Sequence, residues 1–305
     1  KTFFPSMRSV SKVFFDAAEK KLAAATTEED KRTWTEVRNY FAVPYAIFAN
    51  AVTPLTLDDY YKDGHMQDPA QMDEEFKAKD TKIDTVESVS AFVKQLHLDA
   101  ASEEVVLSDI AMIYKAEGKG VPAILSTEFD QYKQATNVEF FVDFSQFTPR
   151  GTYTSSSLRR QYFRGMNWYI QVPFFVKSPQ LTKDAFAIVQ LFAEHENELK
   201  LYNQLDETIG FLIGRSDDLT PADYMQALAS AKGAGNQEAA IMDALVKAHN
   251  PMIKSLAAFY DAVGTHKTDD VVLLTKGLRF FSGKFVIDSY WTGQLTQGDE
   301  KIKDG

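Results

Sequence analysis

The segment TEEDKRTWTEVRNYFAVPYAIFANA, residues 27–51, decides the fold class. Thr27 is placed to cap a helix, and the three acidic residues after it favour the positive end of the helix dipole. The preceding segment, residues 5–25, also has helical spacing. The two segments therefore predict a pair of long helices joined by a tight connection, and we expect Pro44 to kink or end the second one.

Helix signals recur along most of the remaining chain. Asp84 and Glu87 have the spacing of a capping box, and Thr220 with Pro221 forms a strong helix start. Further helical segments are predicted at residues 155–171, 182–204, 219–230, 236–262, 269–280 and 287–296.

Two stretches depart from the helical pattern. Residues 52–83 carry turn signals and few apolar side chains, which predicts a long loop region with at most a short helix at 72–79. Residues 138–144 (VEFFVDF) are the only strong strand candidate. The sequence thus predicts a mainly α protein, an irregular array of about ten helices in antiparallel pairs with at most a small β element near 138–144. We expect a single domain over residues 1–305.

Composition excludes several classes of function. The formal net charge of −10 argues against a nucleic-acid partner, because phosphate binding needs a concentrated basic surface. With no cysteine, the chain has no disulfide, zinc–thiolate site or cysteine nucleophile. No apolar run reaches the roughly 18 residues that would span a bilayer. Because the chain opens at Lys1 rather than Met, we expect a mature or trimmed product.

The run VDFSQFTPRGTYTSSSLRRQYFRGMNWY, residues 142–169, resembles the central signature of the DUF-3160 family of uncharacterised, mostly exported proteins. Similar family segments occur in the same order at residues 38–48, 209–224 and 278–290. The resemblance implies an extracellular or cell-envelope protein, but no mechanism. Thr152 stands where the family usually has His, and Lys284 where it usually has Arg, so an activity that used that His would be absent here.

A candidate ligand-binding site lies in this signature. Asp143 and Arg150 flank a turn, and the helix that follows carries Arg164. Together with Tyr153 they could present arginines and backbone N–H groups to an anionic ligand. Trp168 belongs to a separate group of aromatic residues that could line a sugar-binding groove, with Tyr162, Phe163, Tyr169, Phe174 and Phe175. The structural alternative is a buried Asp143–Arg150 ion pair, with Arg160 and Arg164 on a solvated face and the aromatic rings in the core.

Acidic residues raise two further hypotheses. Asp217 and Asp218 could contribute to a calcium site, although adjacent aspartates before a helix are more often caps. No cofactor is evident from the sequence, and calcium is the one that these residues suggest. Carboxylates such as Glu194, Asp206 and Glu207 could serve a secreted carbohydrate-active hydrolase on an α/α scaffold, if two of them faced each other across a cleft.

No complete catalytic motif is present in the sequence. We therefore expect an exported or cell-envelope protein with a non-catalytic binding or structural role, whose partner is a protein or a carbohydrate. The alternatives are the secreted hydrolase and an ion- or ligand-binding module.

Overall fold

The chain begins with an antiparallel helical hairpin made of α1 (Phe3–Ala24) and α2 (Glu28–Ala49). Thr27 caps α2, since its side chain accepts a hydrogen bond from the backbone N–H of Asp30 at 3.0 Å. Phe4 near the start of α1 meets Phe48 near the end of α2, with 5.7 Å between ring centroids. Further along α1, Phe14 meets Phe41, an earlier residue of α2, at 5.3 Å. This order of contacts confirms the predicted helix pair.

The structure is a computed structural model that describes residues 3–52, 61–62, 65–66, 68–214, 216, 218–233, 235–248 and 273–282. After the hairpin, the described helices are α3 (Pro69–Ile83), α4 (Val86–Lys94), α5 (Ala100–Lys115), α6 (Ser126–Thr136), α7 (Ser157–Gln171), α8 (Pro179–Glu194), α9 (Glu196–Ile213), α10 (Pro221–Ser230) and α11 (Gln237–Lys247). The mainly α prediction is therefore confirmed.

Short antiparallel strand pairs punctuate the helices. They are β1 (Tyr61–Lys62) with β2 (His65–Met66), β3 (Lys119–Gly120) with β4 (Val142–Asp143), and β5 (Pro173–Phe175) with β6 (Gly277–Arg279). The strand predicted at 138–144 is thus reduced to the two residues of β4. Its end is taken by a 3-10 turn, Phe144–Phe147, which the Asp143 side chain caps.

The chain divides into two compact units that are each discontinuous in sequence. The first unit comprises Lys1–Ser126 with Phe140–Trp168, and the second comprises Thr127–Glu139 with Tyr169–Gly305. In the first unit, α2 supplies a helix that is buried along most of its length. In the second, α8 and the β5–β6 pair carry much of the buried apolar surface. That residues 1–305 form one domain stays a prediction.

Pro44 does not end α2, which continues to Ala49, and that it kinks the helix stays a prediction. Three other local predictions were wrong. Residues 69–83 of the predicted loop region form the regular helix α3, which Asp68 caps. The single helix expected at 182–204 is two helices, α8 and α9, that meet at His195. Residues 277–279, expected to be helical, form β6. The helix predicted at 287–296 lies outside the described residues.

The β5–β6 pair requires a glycine at position 277. A Cβ atom on Gly277 would lie closer to the carbonyl oxygen of Phe174 than real Cβ atoms come to any neighbour. The partner strand cannot retreat cheaply, because Phe174 and Phe175 are themselves buried. Gly277 therefore serves the close approach of two backbones rather than an unusual dihedral angle.

A buried carboxylate joins α5 to the 3-10 turn Ala123–Leu125 in the first unit. Asp109 is fully buried and accepts hydrogen bonds from the backbone N–H groups of Ala123 at 2.7 Å and Ile124 at 3.1 Å. Burial raises the pKa of Asp109 to about 7, although these two donors act in the opposite direction.

The raised pKa predicts that the free energy of unfolding falls as the pH rises from about 4 to about 7. In that window the folded protein holds a proton on Asp109 that the unfolded chain has lost, so Asp109 stabilises the fold at acid pH. The steepest slope due to this group should be about 1.4 kcal/mol per pH unit. Urea unfolding at several pH values should show this slope in the wild type and not in Asp109→Asn. Parallel pH profiles for the two proteins would contradict the assignment.

Candidate functional site

The predicted site begins with a local network rather than an ion pair. Asp143 accepts hydrogen bonds from the Ser145 hydroxyl at 2.6 Å and the Ser145 backbone N–H at 3.0 Å. The hydroxyl contact is the main cause that lowers the pKa of Asp143. Arg150 is exposed and donates to the Gln146 side chain at 3.3 Å. The buried Asp143–Arg150 pair that was the structural alternative is therefore not formed.

A surface loop follows, residues 148–155, which we call the 148–155 loop. Every residue in it is exposed except Pro149, which is half-buried, and a 3-10 turn, Gly151–Thr154, forms its tip. Gly151 has a φ of +58°, a left-handed conformation that glycine adopts without strain. The loop is thus a defined turn held out from the surface of the first unit.

Two arginines of α7 hold the backbone of this loop. Arg159 donates to the Thr152 carbonyl at 3.3 Å and to the Ser155 hydroxyl at 3.0 Å. Arg160 donates to the Thr154 carbonyl at 2.9 Å. Because charged donors make the stronger hydrogen bonds, these contacts fix the loop against the helix that follows it.

Tyr153 carries the main exposed apolar surface of the loop. Its ring lies 5.2 Å from the Phe163 ring and 6.3 Å from the Tyr162 ring, the latter nearly parallel at 15°. The side chain is still 38 % exposed. The stack holds one face of Tyr153 against α7 and leaves the remainder open to solvent.

The N-terminal half of α7 is anchored by two aspartates from α3 and its end. Both carboxylate oxygens of Asp80 accept from the Ser157 backbone N–H, at 2.7 and 2.9 Å. Asp84 pairs with Arg160, and with Arg164 at 2.7 Å. Arg160 also donates to Asp80 at 2.9 Å. The expectation that Arg160 and Arg164 lie on a solvated face was therefore wrong.

Arg164, a predicted ligand-binding residue, is committed to internal contacts. Besides its bond to Asp84, its guanidinium lies 4.4 Å from the centre of the Tyr114 ring. The Tyr114 hydroxyl in turn donates to Gln161 at 2.7 Å. A ligand could reach Arg164 only by displacing these partners.

Trp168 lies in the core of the first unit rather than in a binding groove. It is completely buried, and its indole N–H donates to the backbone carbonyl of Tyr40 at 3.1 Å. In a regular helix that carbonyl would accept from the N–H of residue 44, which is Pro44 and has none. Trp168 therefore replaces the donor that α2 lacks, which explains how the helix continues through its proline.

The predicted calcium ligand Asp218 already has a cation. Its carboxylate pairs with Arg279 and accepts from the Ser282 hydroxyl at 2.8 Å, with all three residues buried in the second unit. Asp217 lies outside the described residues. Among the residues that the structure describes, no three His, Asp or Glu side chains are grouped so that they could hold a metal ion.

The carboxylates considered for a hydrolase lie on α8 and α9. Glu194 is exposed at the end of α8 and accepts from Gln190 at 2.9 Å. On α9, Asp206 is half-buried and Glu207 is exposed. Nothing in this placement singles out a pair that faces across a cleft, so the hydrolase stays an alternative prediction.

Sequence reasoning overlooked three residues that shape this region. Asp80 and Asp84 lie in or beside the predicted loop region, and Asp84 was interpreted as a helix cap. The cap of α4 is instead Thr85, whose hydroxyl accepts from the Ser88 N–H at 3.2 Å. Arg159 was not among the predicted site residues. Its position within reach of the preceding loop is a signal that could have identified its role.

The comparisons with known proteins agree with the predicted resemblance. The family model described as "Protein of unknown function (DUF3160)" matches residues 1–304. Neither the curated proteins nor the solved structures give a match to the chain. Within the described part of the chain, no helix combines the length and the apolar character needed to cross a membrane.

Proposed function

We propose that this chain has a non-catalytic binding function and acts outside the cell or in the cell envelope. The chain belongs to the DUF3160 family of proteins of unknown function. The recognition element is the 148–155 loop with the Tyr153 ring at its tip. The partner is a carbohydrate, since exposed tyrosine rings stack on the apolar faces of sugars and the loop is rich in hydroxyl groups.

The observation that carries the proposal is that this loop is exposed and braced at the same time. Its side chains face solvent, while Arg159 and Arg160 hold its carbonyl groups from below. Binding residues are commonly found on loops held by a rigid scaffold. A loop that is already ordered loses little conformational entropy when it binds, and so retains more of its contact energy as affinity.

The contrast with the other charged candidates supports the same choice. Asp80, Asp84 and Arg164 serve the anchoring of α7, and Asp218 and Arg279 form a buried pair. These groups hold the fold together and are largely buried, whereas the residues of the 148–155 loop, apart from the half-buried Pro149, are exposed.

We expect Tyr153→Ala to abolish retention on immobilised sugars without unfolding the protein. The wild type and the variant should be compared on a panel of immobilised oligosaccharides, with Met66→Ala as a control that removes another exposed apolar side chain of the first unit. The signal on the retained sugars should fall at least about tenfold for Tyr153→Ala, in line with a binding hot spot, and stay unchanged for Met66→Ala.

Melting temperatures separate loss of binding from loss of structure. Tyr153→Ala should melt within a few degrees of the wild type, because the side chain is 38 % exposed. The proposed role of the loop would be contradicted if the wild type bound no sugar on the panel. It would also be contradicted if Tyr153→Ala and Met66→Ala bound the sugars equally well. Degradation by protease added to intact producing cells tests the location, and complete resistance would count against it.

A further inference from the structure

The described arginines differ in what their guanidinium groups contact. Arg38, Arg160 and Arg279 each donate to carboxylates. Arg150 and Arg159 donate only to uncharged oxygen atoms of Gln146, Thr152 and Ser155. Both arginines are exposed, and neither guanidinium contacts a carboxylate in the part of the chain that the structure describes.

These two arginines belong to the same surface as Tyr153. The Tyr153 backbone N–H donates to the Arg150 carbonyl at 3.2 Å, which closes the 3-10 turn. Arg150 is the residue directly before this turn, and both Arg150 and Tyr153 are exposed on the 148–155 loop. Arg159 precedes Phe163 by one turn of α7 and therefore shares its face, and Tyr153 lies on Phe163. We call Arg150, Tyr153 and Arg159 the arginine–tyrosine patch.

The local charge of the patch is opposite to that of the whole protein. At a net charge of −10 the long-range field repels anions. An anionic ligand must therefore gain its affinity from short-range contacts, which favours groups that a guanidinium can hold with two parallel hydrogen bonds. Carboxylates meet this geometry.

We propose that the arginine–tyrosine patch binds an acidic oligosaccharide, one built from sugar units that carry a carboxylate. This inference rests on the proposed carbohydrate-binding function and specifies its ligand class. A uronic-acid unit offers an apolar ring face for Tyr153, a carboxylate for Arg150 or Arg159, and hydroxyl groups for the loop, all within one residue of sugar. An acidic peptide offers the carboxylates without the flat, hydroxylated ring face.

Calorimetric titration with a tetramer of galacturonate tests the proposal, with a neutral galactose tetramer and polyglutamate as comparison ligands. We expect the galacturonate tetramer to bind at least about tenfold more tightly than the neutral tetramer, since a hydrogen bond to a charged group contributes more than a neutral one. Added salt should weaken this binding, because both arginines are exposed.

Substitutions at the patch should then follow the chemistry of the guanidinium. Arg150→Ala should weaken galacturonate binding about tenfold or more, and Arg150→Lys, which keeps the charge but not the fork, should give an intermediate loss. Arg8→Ala is the matched control, since Arg8 is an exposed arginine on α1 of the same unit. None of these changes should lower the melting temperature appreciably, because Arg150 has a single side-chain hydrogen bond, at 3.3 Å.

The possible outcomes distinguish failure of the acidic-ligand inference from failure of the proposed carbohydrate-binding function. Equal affinity for the acidic and neutral tetramers, with loss of both in Tyr153→Ala, would overturn the acidic ligand and leave sugar binding intact. Equal or tighter binding of polyglutamate would overturn it in favour of an acidic peptide. Failure of the galacturonate tetramer to bind overturns it as well, and the sugar panel then decides the proposed function independently.

Discussion

Replacing Arg279 with methionine is expected to lower the free energy of unfolding by about 3–5 kcal/mol, because it leaves a buried carboxylate without its cation. Asp218 is only 3 % exposed, and its carboxylate also accepts a hydrogen bond from the Ser282 hydroxyl at 2.8 Å. Methionine has a similar length to arginine and limits the cavity that the change creates. Urea unfolding at neutral pH, followed by circular dichroism, measures the loss.

The double variant Asp218→Asn with Arg279→Met is the matched control. Since it removes both charges together, much of the stability lost in Arg279→Met should return, which marks the loss as the cost of an unpaired charge. Calcium should not raise the melting temperature of the wild type, because Arg279 already occupies the carboxylate. A wild-type protein stabilised by calcium, or an Arg279→Met protein as stable as the wild type, would revive the metal site at Asp218.

Most of the described helices could be predicted from sequence because their causes are local. Thr27 caps α2, and Pro221 begins α10. Each of these signals, like the spacing of apolar residues within a helix, acts within one or two turns of the helix that it specifies. The β5–β6 pair could not be predicted in this way. Each strand has three residues, and they meet across about a hundred residues of intervening chain. Their pairing depends on tertiary contacts that no short window contains.

The same difference between local and distant causes applies to the residues of the candidate site. The exposed residues Arg150 and Tyr153 were identified within the segment that resembles the family signature, and the structure places both at the surface. Arg164 and Trp168 carry equally suggestive side chains, yet each is used internally, because Asp84 and the Tyr40 carbonyl lie opposite them in the fold. Whether an arginine is paired or open to solvent depends on distant partners, which a single sequence does not reveal.

Replacing Trp168 with phenylalanine is expected to destabilise the first unit by about 3 kcal/mol. Part of the loss comes from the smaller ring in a fully buried position, and part from the Tyr40 carbonyl, which loses its indole donor at 3.1 Å. Binding to sugars should survive at temperatures where the variant is folded, because Trp168 is inaccessible to a ligand. Urea unfolding and the sugar panel measure the two effects separately.

A double-mutant cycle with Pro44→Ala identifies the carbonyl as the cause. Alanine at position 44 restores a backbone N–H where α2 can direct it to the Tyr40 carbonyl, so that carbonyl no longer depends on the indole. Trp168→Phe should then cost about 1 kcal/mol less in the Pro44→Ala protein than in the wild type. Equal costs in the two backgrounds would show that Trp168 stabilises the unit by packing alone. A smaller cost beside alanine would show that the proline in α2 and the tryptophan in α7 act as one structural device, in which a side chain supplies the hydrogen bond that the helix backbone cannot make.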